Sequence, residues 1–404
     1  MEATLQSIFR SAFESYRKAH GLSMDQIKAA QAIMDCQSEA LGHEEWVCRN
    51  DGHVERDYHS CRHRSCPRCN GSQSRDWLEK IKAKLLPCDH YHVVFTLPHE
   101  LNAIWQYNRR WSAEKLFRAT SETLRELLRD ERYLGAEVGL LSSLHTWGRT
   151  FIFHPHMHVL VTGLGLRGEE AKRLEKDFLL PVGVLKAKFR GKWLSFLNQG
   201  YDKGEIKLPE GWTELEWRRV LRKVSRKTWN IRIQGAYKHG DGVAIYLSRY
   251  VRGGPVKDQK IVSADKQAVS FRFKDHHDGA TKTMRLKTQH FMTRVLWHVA
   301  VKGQHQVRCY GLYASGAQEK RNRVRQSLGI EMEKAYQIPE REPRRCPECG
   351  HGLFHAKSTR REISYIGSAR VQQDVTTDRD SANQHKGWHS IDHSPPFFVL
   401  CGGR

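Results

Sequence analysis

Apolar positions change their period several times along the chain. Leu5, Ile8, Phe9 and Phe13 recur at helical spacing, which predicts a helical segment over residues 1–34 with one apolar stripe. Residues 35–70 then lose their aliphatic side chains and gain cysteine and histidine. Such a stretch is held together by a metal rather than by a core. Helical character returns over 75–86.

From His90 the pattern turns to strands. HYHVVFTL (90–97), closed by Pro98, is a buried-strand candidate. Residues 112–129 predict an amphipathic helix with Ala113, Leu116, Phe117, Thr120, Leu124, Leu127 and Leu128 facing inward. Residues 138–147 and 151–162 read as two strands. The short WGRTF between them implies a hairpin and antiparallel pairing. Residues 168–227 read as mostly helical and strongly basic, interrupted by NQGYDKGE. WNIRIQGAY (229–237) is a further strand, and DGVAIYLSRYVRGG (241–254) a helix capped by Asp241 and ended by Gly253-Gly254-Pro255. AVSFRFKD and ATKTMRLK flank the turn HHDG. A helix over 288–300 and a strand around HQVRCYGLYA follow, and the last stretch is polar.

This order predicts an α+β fold: a mainly antiparallel central sheet (90–97, 138–147, 151–162 and 228–237) with helices on one face. The expected organisation is a helical segment 1–34, a zinc-binding domain 35–75 and a catalytic domain 76–310 with a basic helical insertion near 168–227. A C-terminal region 311–404 follows.

Charge narrows the function. Lys and Arg number 67 against 45 Asp and Glu, a formal net charge of +22, which points to a polyanion partner. Basic residues alternate with rings, as in Trp217-Arg218-Arg219 and Arg226-Lys227-Thr228-Trp229. That mixture suits single strands, where bases stack on rings and phosphates meet cations. No apolar run is long enough for a membrane span. The first residues lack the apolar region of a secretory signal, so a cytoplasmic protein is expected.

Five cysteines and four histidines lie between Cys36 and Cys69, more ligands than one tetrahedral ion takes, so two Zn²⁺ ions are expected. One grouping is Cys48, His53, Cys66 and Cys69; the other is Cys36, His43, Cys61 and His63. Arg345-Cys346-Pro-Glu-Cys349-Gly350-His351 is a further knuckle, with His351 and His355 nearby to complete it.

The segment Phe151-Ile-Phe-His154-Pro-His156-Met157-His158 is the sharpest local signal. On a strand His156 and His158 share a face roughly 7 Å apart, whereas His154 and His158 stand about 13 Å apart. His145, on the preceding strand, becomes a third ligand if the hairpin register aligns it. Tyr246 and Tyr250 sit four apart, on one side of a helix and at the border of its apolar stripe. Arg249 and Arg252 beside them would suit a phosphate. Either feature alone also fits ordinary structural side chains.

Taken in order, the Cys/His segment, the HPHMH strand and the YLSRY helix resemble one family, the two-tyrosine HUH transposases of bacterial insertion sequences. The likeness spans roughly residues 30–355. It includes His59-Ser-Cys61, Cys66-Pro-Arg-Cys69, VVFTLPHEL (93–101), LHTWGRTFIFHPHMHVLVTGLG (144–165), YLSRYVRGGPV (246–256) and FMTRVLWHVAVKGQHQVRCYGLYA (291–314). Two positions depart from it. Cys48-x-x-Asp51-Gly52 stands where the family tends to have Cys-x-x-Cys-Gly, so that zinc site is altered or uses His53. After the histidine strand only Gly163 and Gly165 remain of its glycines.

The resemblance implies an HUH-endonuclease palm that nicks and rejoins single-stranded DNA at element ends in rolling-circle transposition. Tyr246 and Tyr250 would be the nucleophiles, forming 5′-phosphotyrosine. His156, His158 and His145 would hold Mg²⁺ or Mn²⁺, and two zincs would be structural. The partners would be element ends and target DNA, contacted through Arg218, Arg219, Arg226, Lys227, Arg249 and Arg252, in association with the bacterial nucleoid. A rolling-circle replication initiator shares the chemistry. A non-catalytic zinc-dependent nucleic-acid binder needs neither the tyrosines nor the HPHMH strand.

Overall fold

The computed structural model describes residues 3–175, 179–237, 254–275, 277–333 and 342–360, with Gly242 and Ile245. In chain order the elements begin α1 (Leu5–Ala19), α2 (Met24–Asp35), β1 (Gly42–Cys48), β2 (Val54–Tyr58), α3 (Asn70–Lys82) and β3 (His90–Thr96). Next come α4 (Asn102–Tyr107), α5 (Arg109–Arg129), β4 (Glu137–Trp147), β5 (Phe153–Arg167), β6 (Glu170–Arg173), α6 (Val182–Asp202) and α7 (Glu214–Arg226). β7 (Ile231–Tyr237), β8 (Ile261–Ala264), β9 (Ala268–Lys274), β10 (Thr281–Lys287), α8 (Thr288–Leu296), β11 (Val307–Gly311), α9 (Gln318–Ser327) and β12 (Leu353–Arg360) complete them.

The fold is α+β, with a mainly antiparallel sheet, flanking helices and an N-terminal cysteine-rich region. The central sheet runs β11-β4-β5-β3-β7, with β6 pairing β5 at its far end, and every adjacent pair is antiparallel. Alternation along the strands divides its faces. Val93, Phe95, Leu140, Leu144, Met157, Val159 and Val161 enter one core with α4, α5, α6 and α7. All seven inward positions expected of the 112–129 stripe are buried on α5.

Leu141, Leu160 and Leu164 point the other way. They are covered by Ile81 of α3 and Val324 of α9. Helices therefore flank both faces, not one. The rest of that second face is lined by histidines.

Two local expectations are corrected. The helix expected over 1–34 is two helices, because His20 adopts extended backbone and Ser23 and Gln26 form a capping box that starts α2 afresh. The start of the basic 168–227 stretch is not helical: β5 and β6 form a hairpin through Gly168, whose φ of 60° is left-handed.

A second apolar core joins α1 and α2 to α8 and the β8–β9–β10 sheet. Tyr16 Oη meets Thr293 Oγ1 at 2.8 Å, and Gln26 Nε2 donates to Leu296 O at 3.1 Å. The tip of the β4–β5 hairpin plugs into this core. Gly148 N donates to Ile152 O and Phe151 N to Gly148 O. Phe151 takes φ of 60°, while its ring lies 4.5 Å from that of Phe271 and 6.1 Å from that of Phe291. A left-handed non-glycine residue costs about 1–2 kcal/mol; burying a phenylalanine returns about 1.5–3 kcal/mol. Packing thus holds the turn.

Phe151→Ala keeps the left-handed strain and loses the packing. It is expected to destabilise the protein by about 3–5 kcal/mol, read as a lower midpoint in denaturant unfolding.

Candidate metal centres and nucleic-acid surface

The β4–β5 register places His145 directly opposite His156 and Ser143 opposite His158. All three imidazoles emerge on the face away from the large core. One ring nitrogen from each lies within 4.8 Å of those of the others, and their centroids are 4.2–5.4 Å apart. Burial, reinforced by the neighbouring imidazoles, pushes His145 and His158 well below the ordinary histidine range. Burial likewise brings His156 down to about 4. The rings are therefore neutral at neutral pH, the form that binds a metal.

Hydrogen bonds aim the lone pairs. His156 Nδ1–H donates to His154 O at 2.6 Å, which leaves Nε2 unprotonated. His158 is set by a relay that the sequence pattern did not reveal. Gln234 Oε1 on β7 accepts from Tyr237 Oη at 3.1 Å and from His92 Nδ1–H at 2.9 Å. His92 Nε2 then accepts from His158 Nδ1–H at 2.8 Å, which leaves His158 Nε2 as the unprotonated nitrogen. His298 was also missed. Thr146 Oγ1 donates to its Nδ1 and its Nε2–H donates to Phe151 O, both at 3.0 Å, so it fixes the hairpin tip below the triad. His92 was visible as a strand histidine, but pairing it with His158 requires the β3–β5 register.

The cysteines group differently from the expected pairing. Cys36, Cys61, Cys66 and Cys69 converge, their sulfurs within 4.8 Å of one another. Cys61 Sγ and Cys69 Sγ are 3.7 Å apart, close to the about 3.8 Å edge of a tetrahedron with Zn–S bonds near 2.3 Å. Cys36 ends α2 and Cys69 precedes α3. Asn70 Nδ2 ties the intervening loop through the carbonyls of His63, Arg64 and Cys66.

Cys48 is not in this cluster; it lies with Asp51, Cys346 and Cys349. None of the expected histidine ligands joins either group. His43 packs edge-on to Tyr58, His53 contributes backbone to the turn after Cys48, and His63 Nδ1 accepts from Ser65 N. His355 pairs with Glu44, and the His351 ring sits against Cys349 O. Nor is the C-terminal knuckle separate, since β12 pairs with β1 along its whole length. The misgrouping arose because spacing alone does not reveal contacts about 300 residues apart.

Comparison with known proteins decides the family. A family model described as "Putative transposase" matches residues 139–322, and one described as "Transposase zinc-binding domain", of the IS91 type, matches residues 8–97. The protein named "Putative transposase y4qJ" of Sinorhizobium fredii is 34% identical over 367 residues, covering 85% of this chain and 92% of its own. The chain belongs to the IS91 family of transposases. The transposase for insertion sequence element IS801 of Pseudomonas savastanoi pv. phaseolicola is 26% identical, over 73% of this chain and 72% of its own. A solved structure of conjugative relaxase TrwC with oriT DNA, metal-bound, aligns over 62% of this chain and 96% of its own at 12% identity, but its TM-score of 0.23 does not establish a shared fold.

The IS91-family chain is thus a DNA-acting enzyme with a zinc-binding domain. Among its described residues no helix is long and apolar enough to cross a membrane. Tyr246, Tyr250, Arg249 and Arg252 lie outside the described residues. The remaining basic candidates sit on α7 or just after it. Arg218, Arg219 and Arg226 are exposed. The first two pair with Glu214 and Glu216 on their own helix, contacts weak enough for phosphate to replace. Lys227 instead binds Glu100, whose side chain is nearly buried.

His92→Ala removes the partner that orients His158. It is expected to weaken Mn²⁺ binding at the triad about 10–100-fold, measured by titrating the ion and following its free electron-spin resonance signal.

Proposed function

We propose that this transposase cuts and rejoins one DNA strand through a tyrosine, with His145, His156 and His158 holding a divalent cation at the scissile phosphate. The observation that carries the reading is the convergence of three buried, neutral imidazoles with two lone pairs aimed by hydrogen bonds. A set of three nitrogens without a carboxylate fits Mn²⁺ better than Mg²⁺. A bound ion would draw charge from the non-bridging phosphate oxygens.

The phenolic oxygen of Tyr246 or Tyr250 attacks phosphorus and the P–O3′ bond breaks. The phenol's proton passes to solvent, and the departing 3′ oxygen takes one up. A 5′-phosphotyrosine retains the energy of the broken bond, so the reverse attack rejoins DNA without ATP. Two tyrosines four positions apart in the sequence allow two linked cleavages, as rolling-circle transposition requires: one holds the first end while the other opens a second. Exposed arginines of α7 and the arginines between Cys61 and Cys69 would grip single-stranded element ends and target DNA within the bacterial nucleoid.

Tyr246→Phe and Tyr250→Phe are each expected to cripple transposition, and the double change to abolish covalent adducts with labelled single-stranded DNA. An adduct surviving in the double variant would place the nucleophile elsewhere. His156→Ala with His158→Ala should abolish Mn²⁺-dependent nicking; nicking at the unaltered rate would remove the histidines from the chemistry.

A further inference from the structure

Two turns of one shape face each other across the second cysteine cluster. In the first, Cys48 N donates to His53 O at 2.9 Å and Gly52 N donates to Cys48 O at 3.0 Å. In the second, Cys346 N donates to His351 O at 2.7 Å and Gly350 N donates to Cys346 O at 2.9 Å. Both glycines are left-handed, with φ of 74°. Each turn therefore reads Cys-x-x-X-Gly and curls so that its first and fourth side chains point the same way. X is Asp51 in one turn and Cys349 in the other. Asp51 thus occupies in its turn the place that a thiol occupies in the facing one.

The donor atoms meet. Cys48 Sγ and Cys349 Sγ are 3.5 Å apart, and Cys346 Sγ is 3.2 Å from Asp51 Oδ2. The other carboxylate oxygen, Oδ1, accepts from His53 N at 2.9 Å, which leaves Oδ2 turned to the centre. Strand pairing and surface ion pairs join β12 to β1 and β2, but little apolar surface is buried beneath them among the described residues. Among the described residues, the β12-β1-β2 sheet has for its core Cys48, Cys346 and Leu353, with Trp46 and Cys349 packed against them. A sheet with so small an apolar core needs a further source of stability.

We infer that Cys48, Asp51, Cys346 and Cys349 bind one Zn²⁺ in a three-thiolate, one-carboxylate site built from two distant parts of the chain, and that this ion fastens β12 to β1. Three thiolates favour zinc over harder cations. Four protein ligands close the tetrahedron, so the site is structural and leaves no position for substrate. Binding releases the thiol protons to solvent, and the resulting net negative charge lies among Arg49, Arg344 and Arg345. Arg49 and Arg344 stack on Phe354 and Trp46, 4.1 and 4.8 Å from the ring centroids, and Arg345 reaches Gly350 O. The site is separate from the Cys36 cluster and from the histidine triad, so its test is independent of nicking.

Zinc content and affinity of the full chain test the assignment. Cys346→Ser with Cys349→Ser should leave one zinc fewer per chain than the unaltered protein; equal content would overturn the site. Asp51→Ala at this exposed position should weaken one zinc, in competition with a chelating dye, about 10–100-fold, at least as much as loss of an outer-shell partner costs. Asp51→Cys should restore or tighten it. Unchanged affinity in Asp51→Ala would remove the carboxylate from the ligand set. In the unaltered protein, stripping zinc with a chelator should speed hydrogen exchange of the β12 amides, 353–360, while those of β5 stay protected. Unaltered β12 exchange after loss of that zinc would overturn the fastening role.

Discussion

Antiparallel pairing between β4 and β5 is the constraint on which the rest of the site depends. Side chains alternate on a strand, so a slip of one residue would send His145 to the opposite face and bury it among Leu140, Leu144 and Val159. Several features pin that register. The hydrophobic face is packed by α5 and α6, the β5–β6 hairpin anchors one end, and Phe151 anchors the other in a separate core. The triad is therefore a by-product of packing. Apolar contacts on one side of the sheet determine where imidazoles fall on the other.

The same division of labour extends to the supporting shell. β3 lies beside β5 and β7 beside β3, which brings His92 to His158 and Gln234 to His92. Another histidine of this face, His90, serves packing instead. Its Nδ1–H donates to Cys88 O and its Nε2 meets the buried Tyr313 hydroxyl at 2.5 Å. Residue type alone does not separate a ligand from a strut; neighbours across the sheet do.

Local periodicity made the central strands, α5 and the β4–β5 hairpin readable from sequence, because each is decided by side chains a few residues apart. The HPHMH segment was readable for the same reason, since two histidines on one strand face need no tertiary information. The relay through Gln234, the clamp by His298 and the grouping of the cysteines were not readable. Each joins residues dozens to hundreds of positions apart, and nothing in the spacing of Cys48 signals Cys349. The break between α1 and α2 is written locally, in Ser23 and Gln26, but neither residue interrupts the apolar spacing of Leu5, Ile8, Phe9 and Phe13. The hairpin after Gly168 was hidden by charged residues that mark neither helix nor strand.

The closure of the small sheet carries a consequence for how the chain is born. Cys48 and its partner Cys349 are 301 residues apart. At a synthesis rate of roughly 5–20 residues per second, the first turn leaves the ribosome roughly 15–60 s before the second exists. Throughout that interval one edge of β1 lacks the strand it pairs with and its thiol has one of its three companions, so the nascent protein waits, open on one side, for the later turn.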